Sequence, residues 1–226
     1  MLISEYTFNT MVGIGVKIMI TVLFVKANNR PADEAVSVKL YETFLDSYKK
    51  SHPDDTVVEL DLYNEELPYM GVDLINGISK DSRGLNLTEK EAKALAIADK
   101  YLDQFLLADK VVFGFPLWNF TVPAVLHTYM DYLSRVGKTI KYTSEGQVGL
   151  IGNKKIALLN ARGGVYSEGP GVEIEMAVKY VENMMRFFGA KDIEKVVIEG
   201  HHKFRDKSEE IIAEGLNNAV KLASKF

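Results

Sequence analysis

The stretch VVFGFPLWN, Val111 to Asn119, decides the fold. Lys110 to Phe115 has the β-branched and aromatic content of a strand buried on both faces, and Pro116 stops it by removing a ladder donor and fixing φ. Leu117, Trp118 (the only tryptophan of the chain) and Asn119 follow. Thr121-Val122-Pro123 then begins a helix with proline near its first turn. Strand, polar-tipped loop and helix in this order make the unit of an open α/β sheet, where ligands sit beyond the carboxyl ends of the strands. The amide of Asn119 brings two donors and an acceptor to that edge.

Outward from this stretch, apolar runs alternate with helical periodicities from one end of the chain to the other, which predicts a parallel sheet covered by helices on both faces. Five strands are expected: Ile18 to Val25, Val57 to Asp61, Val111 to Phe115, Ile156 to Ala161 and Lys195 to Ile198. Val38, Leu40, Tyr41, Phe44, Leu45 and Tyr48 fall at helical spacing, so Ala35 to Lys50 reads as the first crossover helix. A second runs from about Thr88 to Leu107, opened by Thr88 and Glu91 as a capping box. Asn64 to Leu87 reads as a loop with a short helix at Gly71 to Ile78. The helix after Pro123 carries Leu126, Tyr129, Met130 and Leu133 and closes at Arg135-Val136-Gly137. Thr139 to Tyr142 and Gly146 to Leu150 form a small hairpin, and helices over Val172 to Phe188 and Ser208 to Ser224 complete the chain. The fold class is α/β, a doubly wound five-stranded parallel sheet in one domain.

Composition narrows the function. The chain has no cysteine, which excludes disulfides, a thiol nucleophile and thiolate metal sites, and suits a reducing cytoplasm. With 27 Lys+Arg against 31 Asp+Glu and no basic stripe, nucleic acid is not an expected partner. Val12 to Val25 is mostly apolar, yet it is too short to span a bilayer, carries Lys17 and lacks a basic n-region, so no membrane or targeting segment is expected. Met1 to Ile18 has no recognisable pattern. Met19 is expected to be the natural start, with the upstream residues as an extension outside the fold.

Three loops hold candidate chemistry. Lys26-Ala27-Asn28-Asn29-Arg30-Pro31, ahead of Ala35-Val36-Ser37, would set free N–H groups and a helix dipole around a phosphate, but no glycine lies there and it is neither a Walker loop nor a GxGxxG fingerprint. Taken alone, it reads as an ordinary polar loop with Ser37 at a helix start. Asn160-Ala161-Arg162-Gly163-Gly164 ends the fourth strand, and its paired glycines let a ligand lie against the backbone. Gly-Gly by itself is common in turns, and its weight comes from position beside the third strand. Trp118 alone is more often an apolar plug and Asn119 a turn residue, but together beyond Pro116 they point to a flat aromatic ligand. Arg162 leaves two readings open, a structural ion pair and a ligand contact. His52, His127, His201 and His202 show no metal-ligand spacing, so no metal is expected, and no GxSxG elbow is present.

These loops are where the chain resembles the FMN-dependent NADH-azoreductase and NADH:quinone oxidoreductase family. VLFVKANNRP (Val22 to Pro31), AVSVKLYETF (Ala35 to Phe44), VVFGFPLWNFTVPAVLHTYMDYL (Val111 to Leu133), GKTIKYT (Gly137 to Thr143), GLIGNKKI (Gly149 to Ile156) and NARGGVYSEGP (Asn160 to Pro170) fall in the family's order and spacing. The resemblance covers Met19 to Phe226 and implies a flavodoxin-like fold and a homodimer with shared active sites. It implies that Asn28, Val36 and Ser37 hold the FMN phosphate, and that Pro116, Leu117, Trp118, Asn119 and Phe120 lie along the isoalloxazine. Ala161, Arg162, Gly163 and Gly164 would form the second cofactor loop. Tyr142 and Phe187 would reach the substrate pocket from the partner subunit, and Tyr166 stands where some members have a histidine.

The implied reaction is ping-pong. NADH gives a hydride to flavin N5, and a quinone or an aromatic azo compound is then reduced in its place, the azo bond being cleaved to amines. No side-chain nucleophile is required, because N–H donors near the pyrimidine ring stabilise the charge that builds there. The competing class is a flavodoxin-type electron carrier, which has no substrate pocket; the Gly137 to Leu150 excursion and the near-balanced charge favour an enzyme. A phosphodiesterase acting on acyl carrier protein is set aside for want of a triad or metal cluster.

Overall fold

The computed structural model describes residues 19–226, so the expectations for residues 1–18, the head of the first strand among them, lie outside the described residues. Five parallel strands form the main sheet: β1 (Thr21–Lys26), β2 (Thr56–Asp61), β3 (Lys110–Pro116), β6 (Lys155–Arg162) and β7 (Asp192–Glu199), in the order β2-β1-β3-β6-β7. β4 (Ile140–Thr143) and β5 (Gly146–Gly149) pair separately as an antiparallel hairpin. The chain steps outward from β1 to β2 and then crosses to β3 on the other side. That reversal opens a crevice at the carboxyl ends of β1 and β3.

Alternation along the strands divides the core into two layers. Val22 and Phe24 of β1, with Val112, Ala157, Leu159 and Ile198, face α1 (Val36–Ser51) and α7 (Ser208–Ala223). Leu23 and Val25, with Val111, Phe113, Phe115, Ile156 and Leu158, face α3 (Glu89–Leu107), α4 (Ala124–Leu133) and α6 (Val178–Phe187). Gly114 faces α1, where a Cβ would stand 2.5 Å from Cδ2 of Tyr41, so the close seat of that helix on β3 depends on glycine. Pro116 is the final residue of β3, opposite Ala161, and closes the ladder as its missing N–H requires.

The capping box of α3 forms in full. Thr88 Oγ1 accepts from the Glu91 N–H at 3.3 Å, and Glu91 Oε2 accepts from the Thr88 N–H at 2.8 Å. Glu91 also pairs with Lys80 at 2.7 Å, which fastens α2 (Val72–Asp81) to α3.

One expected helix is not continuous. Val172 to Phe188 divides into α5 (Gly171–Ile174) and α6, because the Glu175 carboxylate accepts from the Ala177, Val178 and Lys179 N–H groups and starts a new helix there. A side chain that takes up the first free donors of a helix defines a beginning, whatever the apolar period upstream.

Candidate functional site

Loops from the carboxyl ends of β1, β3, β6 and β7 surround one cleft of about 210 Å³. Asn28, buried behind β1, organises the first wall. Its Nδ2 donates to Ser37 Oγ at 2.9 Å and its Oδ1 accepts from the Arg30 N–H at 3.0 Å, which ties the loop to the start of α1. The N-cap of that helix is Ala35, whose methyl side chain offers no acceptor. Val36 and Ser37 therefore keep backbone N–H groups with no acceptor among the described residues, and the Ser37 hydroxyl, accepting from Asn28, retains its own proton. Free donors at the positive end of a helix dipole favour an anion.

The second wall is Pro116, Leu117 and Trp118. Trp118 and Thr121 exchange both backbone hydrogen bonds at 3.0 Å, around Asn119 at φ 49° and Phe120 at φ 68°. Two left-handed central residues make this a type I′ turn, whose usual second residue is glycine. Asn tolerates that region, whereas a bulky Phe is strained in it. Asn119 and Phe120 stand at the tip of the loop, beside the lining. The ring of Phe120 meets Tyr166 edge-on at 6.3 Å.

Ala161, Arg162 and Gly163 form the third wall, with Gly164 just beyond it. The Gly163 carbonyl accepts from the N–H groups of His202 (3.0 Å) and Lys203 (3.2 Å), and that of Gly164 from Gly200 (3.0 Å). The N–H groups of Gly163 and Gly164 meet no acceptor among the described residues. A Cβ at Gly163 would overlap Nδ1 of His202, so only glycine lets the two loops meet there. Of the two readings of Arg162, the ion pair accounts for its charge. The guanidinium hydrogen-bonds Glu199 at 2.9 Å and faces Glu175 at 3.2 Å as a charge pair, without a hydrogen bond from its Nη1 among the described residues.

Arg30 and Ala35, from the loop expected to face a phosphate, also line the cleft, as do Glu34, His201 and His202, to which sequence reasoning assigned no role there. For the histidines the signal was positional, since they follow the strand beside β6. His201 is buried with Nδ1 unpartnered among the described residues, and burial, followed by the neighbouring His202, lowers its pKa. Tyr142 on β4 and Phe187 at the end of α6 are outside this cleft, with Tyr142 66% exposed and Phe187 38%. They belong to one unit: Gln147 Nε2 donates to the Phe187 carbonyl at 2.7 Å, and the Ile151 N–H to that of Phe188 at 3.0 Å. Among the described residues, no helix is long and apolar enough to cross a membrane.

Comparison with known proteins extends this description. A family model, Flavodoxin_2, described as flavodoxin-like fold, matches residues 20–223. The chain is 75% identical over 208 residues to an FMN-dependent NADH:quinone oxidoreductase of Bacillus cereus, covering 92% of this chain and 100% of that protein. It is similar to the crystal structure of an azoreductase from Bacillus anthracis, with 74% identity, a TM-score of 0.91 and coverage of 92% and 100%. A second Bacillus anthracis structure, an FMN-dependent NADH-azoreductase in complex with FMN, is 27% identical with a TM-score of 0.84, covering 92% and 99%.

Proposed function

The chain belongs to the Flavodoxin_2 family of flavodoxin-like proteins, and we propose from this premise that it is an FMN-dependent oxidoreductase that takes electrons from NADH and reduces quinones and aromatic azo compounds. The observation that carries the reading is the cleft itself, which has free N–H groups at both ends and an aromatic loop between them, in a chain 75% identical to a quinone oxidoreductase. When bound, FMN supplies a two-electron store that accepts a hydride from NADH and yields it to the acceptor in a ping-pong cycle.

The residues fit that group. Val36 and Ser37, with the hydroxyl of Ser37 oriented by Asn28, would hold the phosphate. Pro116, Leu117 and Trp118 offer an apolar surface for the ring system, with Asn119 and Phe120 at its edge. The free N–H groups of Gly163 and Gly164 are fixed donors toward the end of the ring where negative charge develops, which is electrostatic preorganisation. The chain is proposed to act as a homodimer, in which Tyr142 and Phe187, aromatic residues exposed outside the cleft, are offered across the interface.

Purified protein loaded with FMN is expected to oxidise NADH when a simple quinone is added, and to consume two NADH per azo bond cleaved. A protein that cannot be loaded with FMN, or that is loaded and leaves NADH unchanged in the presence of quinone, refutes the reading.

A further inference from the structure

The strained turn at Asn119 and Phe120 needs support from outside itself, because left-handed non-glycine backbone persists only where its surroundings over-determine it. Among the described residues one backbone bond reaches that turn from elsewhere, the Met176 N–H donating to the Phe120 carbonyl at 2.8 Å. Met176 follows Glu175, a residue 3% exposed whose carboxylate stands 3.2 Å from the Arg162 guanidinium. Arg162 ends β6 and is held in turn by Glu199 at the end of β7, through its Nε at 2.9 Å. Glu199 also accepts from the Tyr166 N–H at 2.9 Å and from the Ser167 hydroxyl.

One guanidinium and two carboxylates therefore connect the loop after β6 with the turn after β3. Buried ion clusters contribute little net stability, because desolvation offsets much of their attraction. The geometry that this one imposes is the better account of its presence. We propose that Glu175, Arg162 and Glu199 are positioning residues, a clamp that braces the Phe120 turn and sets the separation of the two loops between which the flavin lies. The cofactor part of this inference rests on the function proposed above; the clamp itself does not.

The test uses Trp118, the only tryptophan, which sits at the base of the braced turn. Glu175→Gln keeps an oxygen to accept the N–H groups that start α6 but loses the charge that Arg162 holds. In the full chain without FMN, this variant is expected to show Trp118 more readily quenched by acrylamide than in wild type, with the far-ultraviolet circular dichroism unchanged. FMN titration, read from flavin fluorescence, should give a Kd about tenfold higher, within the range of coupling between contacting groups. In a Phe120→Gly background, where the turn is no longer strained, Glu175→Gln should leave Trp118 quenching almost unchanged. A merely structural role for Glu175 would instead give the same increment in both backgrounds. Equal increments, or wild-type quenching in folded Glu175→Gln, overturn the clamp. Should Glu175→Gln fail to fold, Arg162→Lys, which can satisfy one carboxylate and not both, carries the same comparison with the same deciding outcomes. A wild-type chain that binds no FMN refutes the proposed function, while the Trp118 measurements still decide the clamp.

Discussion

Replacing Ser37 by alanine separates the two tasks that its hydroxyl performs. Without the hydroxyl, Asn28 Nδ2 loses its 2.9 Å acceptor in a buried setting, while Asn28 Oδ1 keeps the Arg30 N–H at 3.0 Å. An unsatisfied buried donor costs about 1–3 kcal/mol. Water in the cleft can reach the start of α1, and alanine is the better helix former by a few tenths of a kcal/mol, so the net cost to the free protein is set near the lower end, about 1 kcal/mol. For a chain of this size that lowers Tm by about 2–4 °C. The second task appears on binding. A hydrogen bond to a charged acceptor contributes about 1.5–3 kcal/mol, which raises the Kd for FMN by roughly 10- to 150-fold. Riboflavin, which has the ring and ribityl chain without the phosphate, supplies the control. Fluorescence titrations of both flavins against wild type and Ser37→Ala should place the loss on FMN alone. An FMN affinity unchanged by the substitution, or equal losses for the two flavins, refutes the assignment of this end of the cleft to the phosphate.

Three further outcomes are expected. Tyr129 is fully buried, and its hydroxyl has no partner among the described residues, so Tyr129→Phe should raise stability in urea by about 1 kcal/mol; a less stable variant would mean that the hydroxyl is satisfied. Gly114→Ala drives a methyl into Tyr41 and should cost about 1–3 kcal/mol by overpacking, read as a lower Tm; wild-type stability would mean that α1 has room to shift. Burial alone would raise the pKa of Glu199, but the Ser167 hydroxyl, the Tyr166 N–H and Arg162 outweigh it and hold the carboxyl below its ordinary value of 4.5. A depressed folded pKa contributes stability that is present above the ordinary value and lost as pH falls through the folded one. Wild type should therefore lose Tm more steeply below pH 4.5 than Glu199→Gln, the two curves converging in acid; parallel curves argue against the linkage.

Much of the fold was legible because the parallel strands are buried on both faces, so β3 and β6 read as unbroken apolar runs. Local chemistry that closes within four residues was equally legible, as in the Thr88 and Glu91 box. The break at Glu175 was not: its carboxylate also closes on N–H groups two to four residues ahead, but it stands inside an apolar period and not before one. The apolar period runs through that point without interruption. The turn after Trp118 was half legible: Asn119 is a residue that enters the left-handed region, whereas nothing local recommends Phe120 for it. His201 and His202 form no motif, and only the order of strands sets them beside Gly163.

The wall of the cleft has a chemical consequence. Quinones are electrophiles as well as oxidants, and the side chain they alkylate fastest is a thiolate. The surfaces here present amides, a hydroxyl, a carboxylate, imidazoles, two guanidinium groups, an indole and hydrocarbon, and no cysteine occurs anywhere in the chain. An enzyme built this way can meet its proposed acceptors turnover after turnover without covalent loss at sulfur. Its working lifetime in excess quinone should then be governed by retention of FMN, and so by the loops that surround it.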